Sequence, residues 1–198
     1  MRAFLYENGQ MHLLATPGGD TSVADAINEK GVAAGWWSIG SLAGRYAFIN
    51  SGGVATDICC GAGDQYGLPY VGAVRGINDA NDVIGIWVPE SNAGSTGFLY
   101  RRGVMRSLVP GYSGPFGINN AGVVVGDASF GSNRRAFVWD ETKGLQDLNG
   151  LIDPTLGLTL QWATGINDLG QIVAVDPGVR GCDDDRAVLL TPAAKPVP

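Results

Sequence analysis

Apolar runs along this chain are short, rich in β-branched and aromatic residues, and cut by polar turns in a recurring order. Ile-Asn appears at Ile27-Asn28, Ile77-Asn78, Ile118-Asn119 and Ile166-Asn167. Three residues after each Asn stands Gly31, Asn81, Gly122 or Gly170, and four further on a small residue, Gly35, Gly85, Gly126 or Ala174. A second signature is a short apolar run: Ala3-Phe4-Leu5-Tyr6, Ala47-Phe48-Ile49-Asn50, Gly97-Phe98-Leu99-Tyr100, Ala136-Phe137-Val138-Trp139 and Ala187-Val188-Leu189-Leu190. Turns at Gly9, Gly53, Gly103 or Gly144 follow, then runs such as Val104-Met105-Arg106-Ser107-Leu108 and Leu145-Gln146-Asp147-Leu148.

The turn chemistry explains the spacing. Asn at the first and Gly at the fourth position suit a type I turn that ends in a left-handed residue. The Asn side chain can accept from its own backbone two residues on, and Asn81 is the residue that best replaces Gly in the left-handed region. Each Ile-Asn therefore ends one strand, and Val32-Ala33-Ala34, Val83-Ile84, Val123-Val124-Val125 or Ile172-Val173 begins the next. The Phe-containing run is a third strand and the run after its Gly turn a fourth. Four short antiparallel strands in about 40–50 residues is the size of a propeller blade. The expected fold is all-β: a β-propeller-like array of about four four-stranded antiparallel blades, the last shared between the two termini. In that scheme residues 3–6 and 11–15 supply third and fourth strands, and residues 162–166, 171–175 and 186–190 supply a first, second and third. One third strand is then surplus, which leaves room for a half-length array pairing with a second copy. The small residues at 35, 85, 126 and 174 are expected to let adjacent sheets approach. Residues 1–191 form one repeat-built domain and residues 192–198 a Pro-rich tail.

Composition agrees with this reading and narrows the partners. The 198 residues include 31 Gly and only 16% charged residues, which argues against helical bundles and coiled coils. A net charge of −6 repels phosphate backbones, so nucleic acid is not an expected partner. No apolar stretch approaches the ~20 residues of a spanning helix. The N-terminus meets Glu7 and Gly9 too soon to read as a signal peptide. Cys59, Cys60 and Cys182 make no disulfide framework; buried free thiols are the expectation, with one bridge from Cys182 to either neighbour as the alternative.

The signatures Gly-Ile-Asn-x-x-Gly, Val-Val-Gly, Ala-Phe-Val-Trp and Gly-Leu-Gln-Asp-Leu-Asn resemble the HAF-type extracellular repeat family across nearly the whole chain. The span from Leu145 to Leu190 is the nearest match. The resemblance implies a secreted or surface-exposed bacterial protein of propeller-like fold, and it carries over no catalytic residues. The segment from Leu190 to Pro198 is similar to the Pro-rich stretch before a C-terminal sorting signal in some members.

Candidate chemistry is sparse. There is no nucleophile elbow, and His12, the one histidine, falls on a fourth strand as an ordinary outward-facing residue. Glu29, Asp79, Asn120 and Asp168 share one turn position, so a ring would place them on one rim as ligand-binding candidates. Asp183, Asp184 and Asp185 form an acidic loop whose hard oxygens suit Ca²⁺. The long connector from Cys59 to Ala73 carries Asp64, Tyr66 and Tyr70. Three readings follow: a binding or interaction module for a protein, glycan or small molecule; a calcium-assisted hydrolase such as a lactonase or esterase; and a purely structural fragment that assembles into a larger ring. The second rests on the acidic loops and on fold-level analogy with propeller hydrolases.

Overall fold

The structure, a computed structural model, describes residues 1–39, 44–59, 70–88, 95–108, 111–178 and 185–193. A two-stranded sheet pairs β1 (Phe4–Glu7) with β2 (Gln10–Leu13). The first four-stranded sheet comprises β3 (Thr21–Ile27), β4 (Ala33–Ser38), β5 (Tyr46–Ser51) and β6 (Val54–Asp57). The second comprises β7 (Tyr70–Ile77), β8 (Val83–Val88), β9 (Thr96–Arg101) and β10 (Val104–Ser107). The third comprises β11 (Ser113–Ile118), β12 (Val124–Phe130), β13 (Asn133–Asp140) and β14 (Gly144–Asp147). The last sheet is three-stranded: β15 (Trp162–Ile166), β16 (Ile172–Asp176) and β17 (Arg186–Leu190). Strands join in sequence order within every sheet, and the pairs whose register is resolved are antiparallel. The described residues hold no α-helix. Two compact units divide the chain at Gly114, inside β11: Met1–Gly114 and Pro115–Pro198.

The Ile-Asn turns form as their sequence dictates. Gly31, Asn81, Gly122 and Gly170 all adopt positive φ, from 63° to 76°. Asn28 Oδ1 accepts from Lys30 N at 3.1 Å and from Val32 N at 2.9 Å. Asn78 and Asn167 repeat both bonds, and Asn119 accepts from Val123 N.

Gly35, Gly85 and Gly126 stand directly opposite Phe48, Phe98 and Phe137, all three fully buried. A Cβ on Gly85 would lie 2.3 Å from Ala73 O and 2.5 Å from the Phe98 ring; one on Gly35 would lie 1.9 Å from Val23 O. Gly35 and Gly85 therefore admit a carbonyl of their own sheet, and Gly85 a ring as well, where the sequence suggested close approach of neighbouring sheets. The last sheet makes the complementary exchange, with Ala174 opposite Val188. Close approach between sheets falls instead at the Gly of Gly-Ile-Asn: a Cβ on Gly117 would sit 3.3 Å from Gly165 Cα.

Within the first unit, the first and second full sheets share a core. Val32, Ala34, Ala47 and Ile49 of one meet Val71, Val74, Ile77, Phe98, Tyr100 and Met105 of the other. Within the second unit, Val125, Ala136 and Val138 meet Ala163, Ile172 and Ala174 in the same way. Main-chain bonds repeat alongside: Ser22 N donates to Met1 O at 3.0 Å, Val71 N to Arg45 O at 2.9 Å, and Ala136 N to Leu160 O at 3.0 Å.

Two expectations are corrected. Among the described residues the sheets number five, and none of them holds strands from both termini: β17 fills the third-strand place beside β16, and β1 pairs with β2 in its own hairpin. Nor is Cys59 a free thiol, since it is buried and disulfide-bonded. Cys60 and Cys182 lie outside the described residues.

Candidate functional site

The residues at the recurring turn position are brought together in pairs across neighbouring sheets. In the first unit Glu29 N donates to Asp79 Oδ1 at 3.0 Å, and Asn28 Nδ2 donates to Asn78 O at 2.9 Å. In the second unit Asn120 N donates to Asp168 Oδ1 at 2.8 Å, Asn120 Nδ2 to Asp168 Oδ2 at 2.9 Å, and Asn119 Nδ2 to Asn167 O at 3.1 Å. The carboxylates of Asp79 and Asp168 thus accept from the turn of the preceding sheet. Turn residues that the sequence offers as ligand candidates act here as clasps between stacked sheets, with one geometry used twice.

Asn28 also donates to Asn81 Oδ1 at 3.0 Å, so one side chain ties its own turn and the next. Asn28→Ala removes two donated and two accepted bonds at about 0.5–1.5 kcal/mol each, with partial replacement by water. A loss of about 2 kcal/mol is expected in urea denaturation, against under about 0.5 kcal/mol for Glu29→Ala, which keeps the main-chain bond to Asp79 on the exposed side of the same turn.

A concave feature of the described surface lies between the N-terminal hairpin and the first full sheet. It has a volume of about 240 Å³ and is lined by Arg2, the segment Leu14–Thr16, Gly18–Asp20, Thr21 and Ser22. Its floor is fixed from below. Trp37 on β4 is buried and stacks on Tyr46 with ring centroids 4.8 Å apart. Gly18 is seated on that indole, where a Cβ would come within 3.1 Å of the ring. Gly19 has φ +76°, and a Cβ there would meet Ser38 O at 2.1 Å, so only glycine lets the connector lie this close. Asp20 N donates to Ser38 O at 3.2 Å, and Thr16 Oγ1 donates to Gly18 O at 3.0 Å. On the hairpin side Ala3 N donates to Ser22 Oγ at 3.0 Å. The cleft thus offers a guanidinium, a carboxylate and hydroxyls on a braced connector.

This cleft does not stand out in the sequence. Its signal is the connector Thr16-Pro17-Gly18-Gly19-Asp20, where paired glycines precede a carboxylate just before a strand. Nor does Asp127 stand out there, although it is fully buried on β12 and ion-paired with Arg134 on β13. Burial pushes its carboxyl above the ordinary range, and the Arg134 guanidinium opposes the shift. None of the remaining candidates among the described residues lines the cleft. His12 is exposed on β2, opposite Leu5. Asp185 is exposed, and Asp183, Asp184, Asp64 and Tyr66 lie outside the described residues. Tyr70 opens β7. Among the described residues no group of three or more His, Cys, Asp or Glu side chains is placed to hold a metal ion. No helix among them is long and apolar enough to cross a membrane.

Compared with known proteins, the chain matches no family model and no curated sequence.

Proposed function

We propose that this chain is a secreted or surface-exposed β-repeat binding module, its sheets stacked as propeller-like blades. The cleft beside the N-terminal hairpin would hold a small, hydroxyl-rich ligand such as one sugar unit of a glycan. The observation that carries the reading is the lining: Arg2, Asp20, Thr16 and Thr21 line a cleft of about 240 Å³, over a connector held down by Trp37 and Ser38. A rigid floor with few convergent polar groups lowers the ordering cost of binding. The likeness of the repeats to HAF-type extracellular repeats agrees with an exposed address.

Ligand-observed NMR with a panel of neutral and acidic mono- and oligosaccharides tests the proposal. Saturation transfer is expected for at least one sugar, weakened about tenfold by Arg2→Ala and by Thr21→Val. Absence of transfer across the panel, or transfer indifferent to both substitutions, rejects the cleft as the seat. Chelator-sensitive turnover of esters or lactones would replace the binding module with the calcium-assisted hydrolase.

A further inference from the structure

The apolar side chains of the N-terminal hairpin present the same face that the second full sheet buries. Phe4, Leu5 and Tyr6 correspond in register to Phe98, Leu99 and Tyr100, and Met11 stands opposite Tyr6 as Met105 stands opposite Tyr100. In the second sheet Phe98, Tyr100 and Met105 belong to one core with Ala34, Ala47 and Ile49 of the sheet before them. On the hairpin the same positions face solvent: Phe4 is 54% exposed, Tyr6 66%, Met11 69% and Leu13 68%.

The opposite kind of face is open at the last sheet. By the register of β16 with β17, Val173, Ala187 and Leu189 correspond to Ala34, Ala47 and Ile49. Ala34 and Ala47 are fully buried, whereas Val173 is 44% exposed and Leu189 64%. Ala187 is exposed too. One surface carries the aromatic and Met half of a sheet junction, and the other carries the small and aliphatic half.

We infer that these two faces are a self-association pair, through which the hairpin of one copy docks head to tail on the last sheet of a second copy. The junction between the first and second full sheets supplies the template: an aromatic-Met face seated on an Ala-Ala-Ile face. The second copy offers a face with the same pattern, Val-Ala-Leu. Strand exchange is disfavoured by the Gly–Phe rule, because Phe4 needs glycine opposite it and Ala174 of β16 already matches Val188. Docking therefore stacks faces and leaves both sheets intact. Such a contact is heterologous, so copies close into a ring or extend in a line.

Complementation tests this. The 198-residue chain is expected to sediment with concentration-dependent mass above that of a monomer. One variant carries Tyr6→Lys with Met11→Lys, the other Val173→Lys with Leu189→Lys; each alone is expected to be monomeric. An equimolar mixture restores association, because each variant retains the face the other lacks, and its mass is about twice that of either. Far-UV circular dichroism and melting of each variant should match the parent, since all four side chains are exposed. If either Lys pair unfolds, the corresponding Ser pair repeats the test. A parent that stays monomeric at every concentration overturns the inference. So does a hairpin variant that still self-associates, or a mixture that remains monomeric.

Discussion

Replacing Gly85 with alanine is expected to cost about 3 kcal/mol or more, the upper range for overpacking a filled core. The new methyl would sit 2.3 Å from Ala73 O and 2.5 Å from the Phe98 ring, and neither neighbour has room to retreat. Ala73 O belongs to a strand already bent by register shifts between Val71 and Ala73 and between Val74 and Gly76. Phe98 is fully buried. Urea denaturation of Gly85→Ala beside Gly103→Ala isolates the cause. Gly103 has φ +83° with nothing within 4 Å of its would-be Cβ, so its substitution carries only the backbone penalty, about 1 kcal/mol. Adding Phe98→Val to Gly85→Ala imitates the Ala174–Val188 pair of the last sheet and is expected to recover part of the loss. The remainder persists because the carbonyl still blocks the methyl. Equal midpoints for Gly85→Ala and Gly103→Ala would show that the close contacts are not what requires glycine.

Arg134→Ala is the second large effect, with an expected loss of about 2–3 kcal/mol at neutral pH. Breaking a buried ion pair by removing one partner typically costs about 3–5 kcal/mol, and the lower figure applies because the Arg134 side chain is 42% exposed and solvent already screens it. Asp127 is fully buried and its Oδ1 has no hydrogen-bond partner, so without Arg134 the carboxylate stands uncompensated. Burial raises its folded-state pKa above the ordinary 3.8, opposed by Arg134. A raised carboxyl pKa gives a stability contribution that is present below the unfolded value and lost as pH rises through the folded value. Removing the guanidinium raises the folded value further, so the deficit of Arg134→Ala is expected to shrink on acidification from neutrality towards 3.8. Asp127→Asn, which removes the charge and keeps the shape, is expected to cost less than Arg134→Ala at pH 7. A pH-independent deficit, followed by thermal melts across this range, would show that lost packing and not the uncompensated charge is responsible.

Much of the architecture was legible in the residues because the repeat is written in local chemistry. Asn28, Asn78, Asn119 and Asn167 each fold their own turn with bonds reaching only two to four residues. Five residues of sequence therefore suffice to place a strand end, a left-handed residue and the next strand start. The Phe-containing runs were equally plain, since buried apolar strands bounded by Gly turns admit few other readings. The candidate site was less legible. Asp79 and Asp168 look like rim carboxylates in sequence, yet they accept main-chain N–H groups from turns 50 and 48 residues away. No local pattern distinguishes a carboxylate facing a ligand from one facing the next sheet.

The sequence by itself determined the strand-turn unit, the order of its strands and the positions where φ must be positive, because each depends on sterics and hydrogen bonds within a few residues. Only the tertiary structure decided which third strand β16 accepts and why glycine faces phenylalanine. It alone raised the cleft over Trp37 and left the hairpin of β1 and β2 with its aromatic face in water. Those outcomes turn on which surfaces meet, and that is set by packing between elements far apart in the chain.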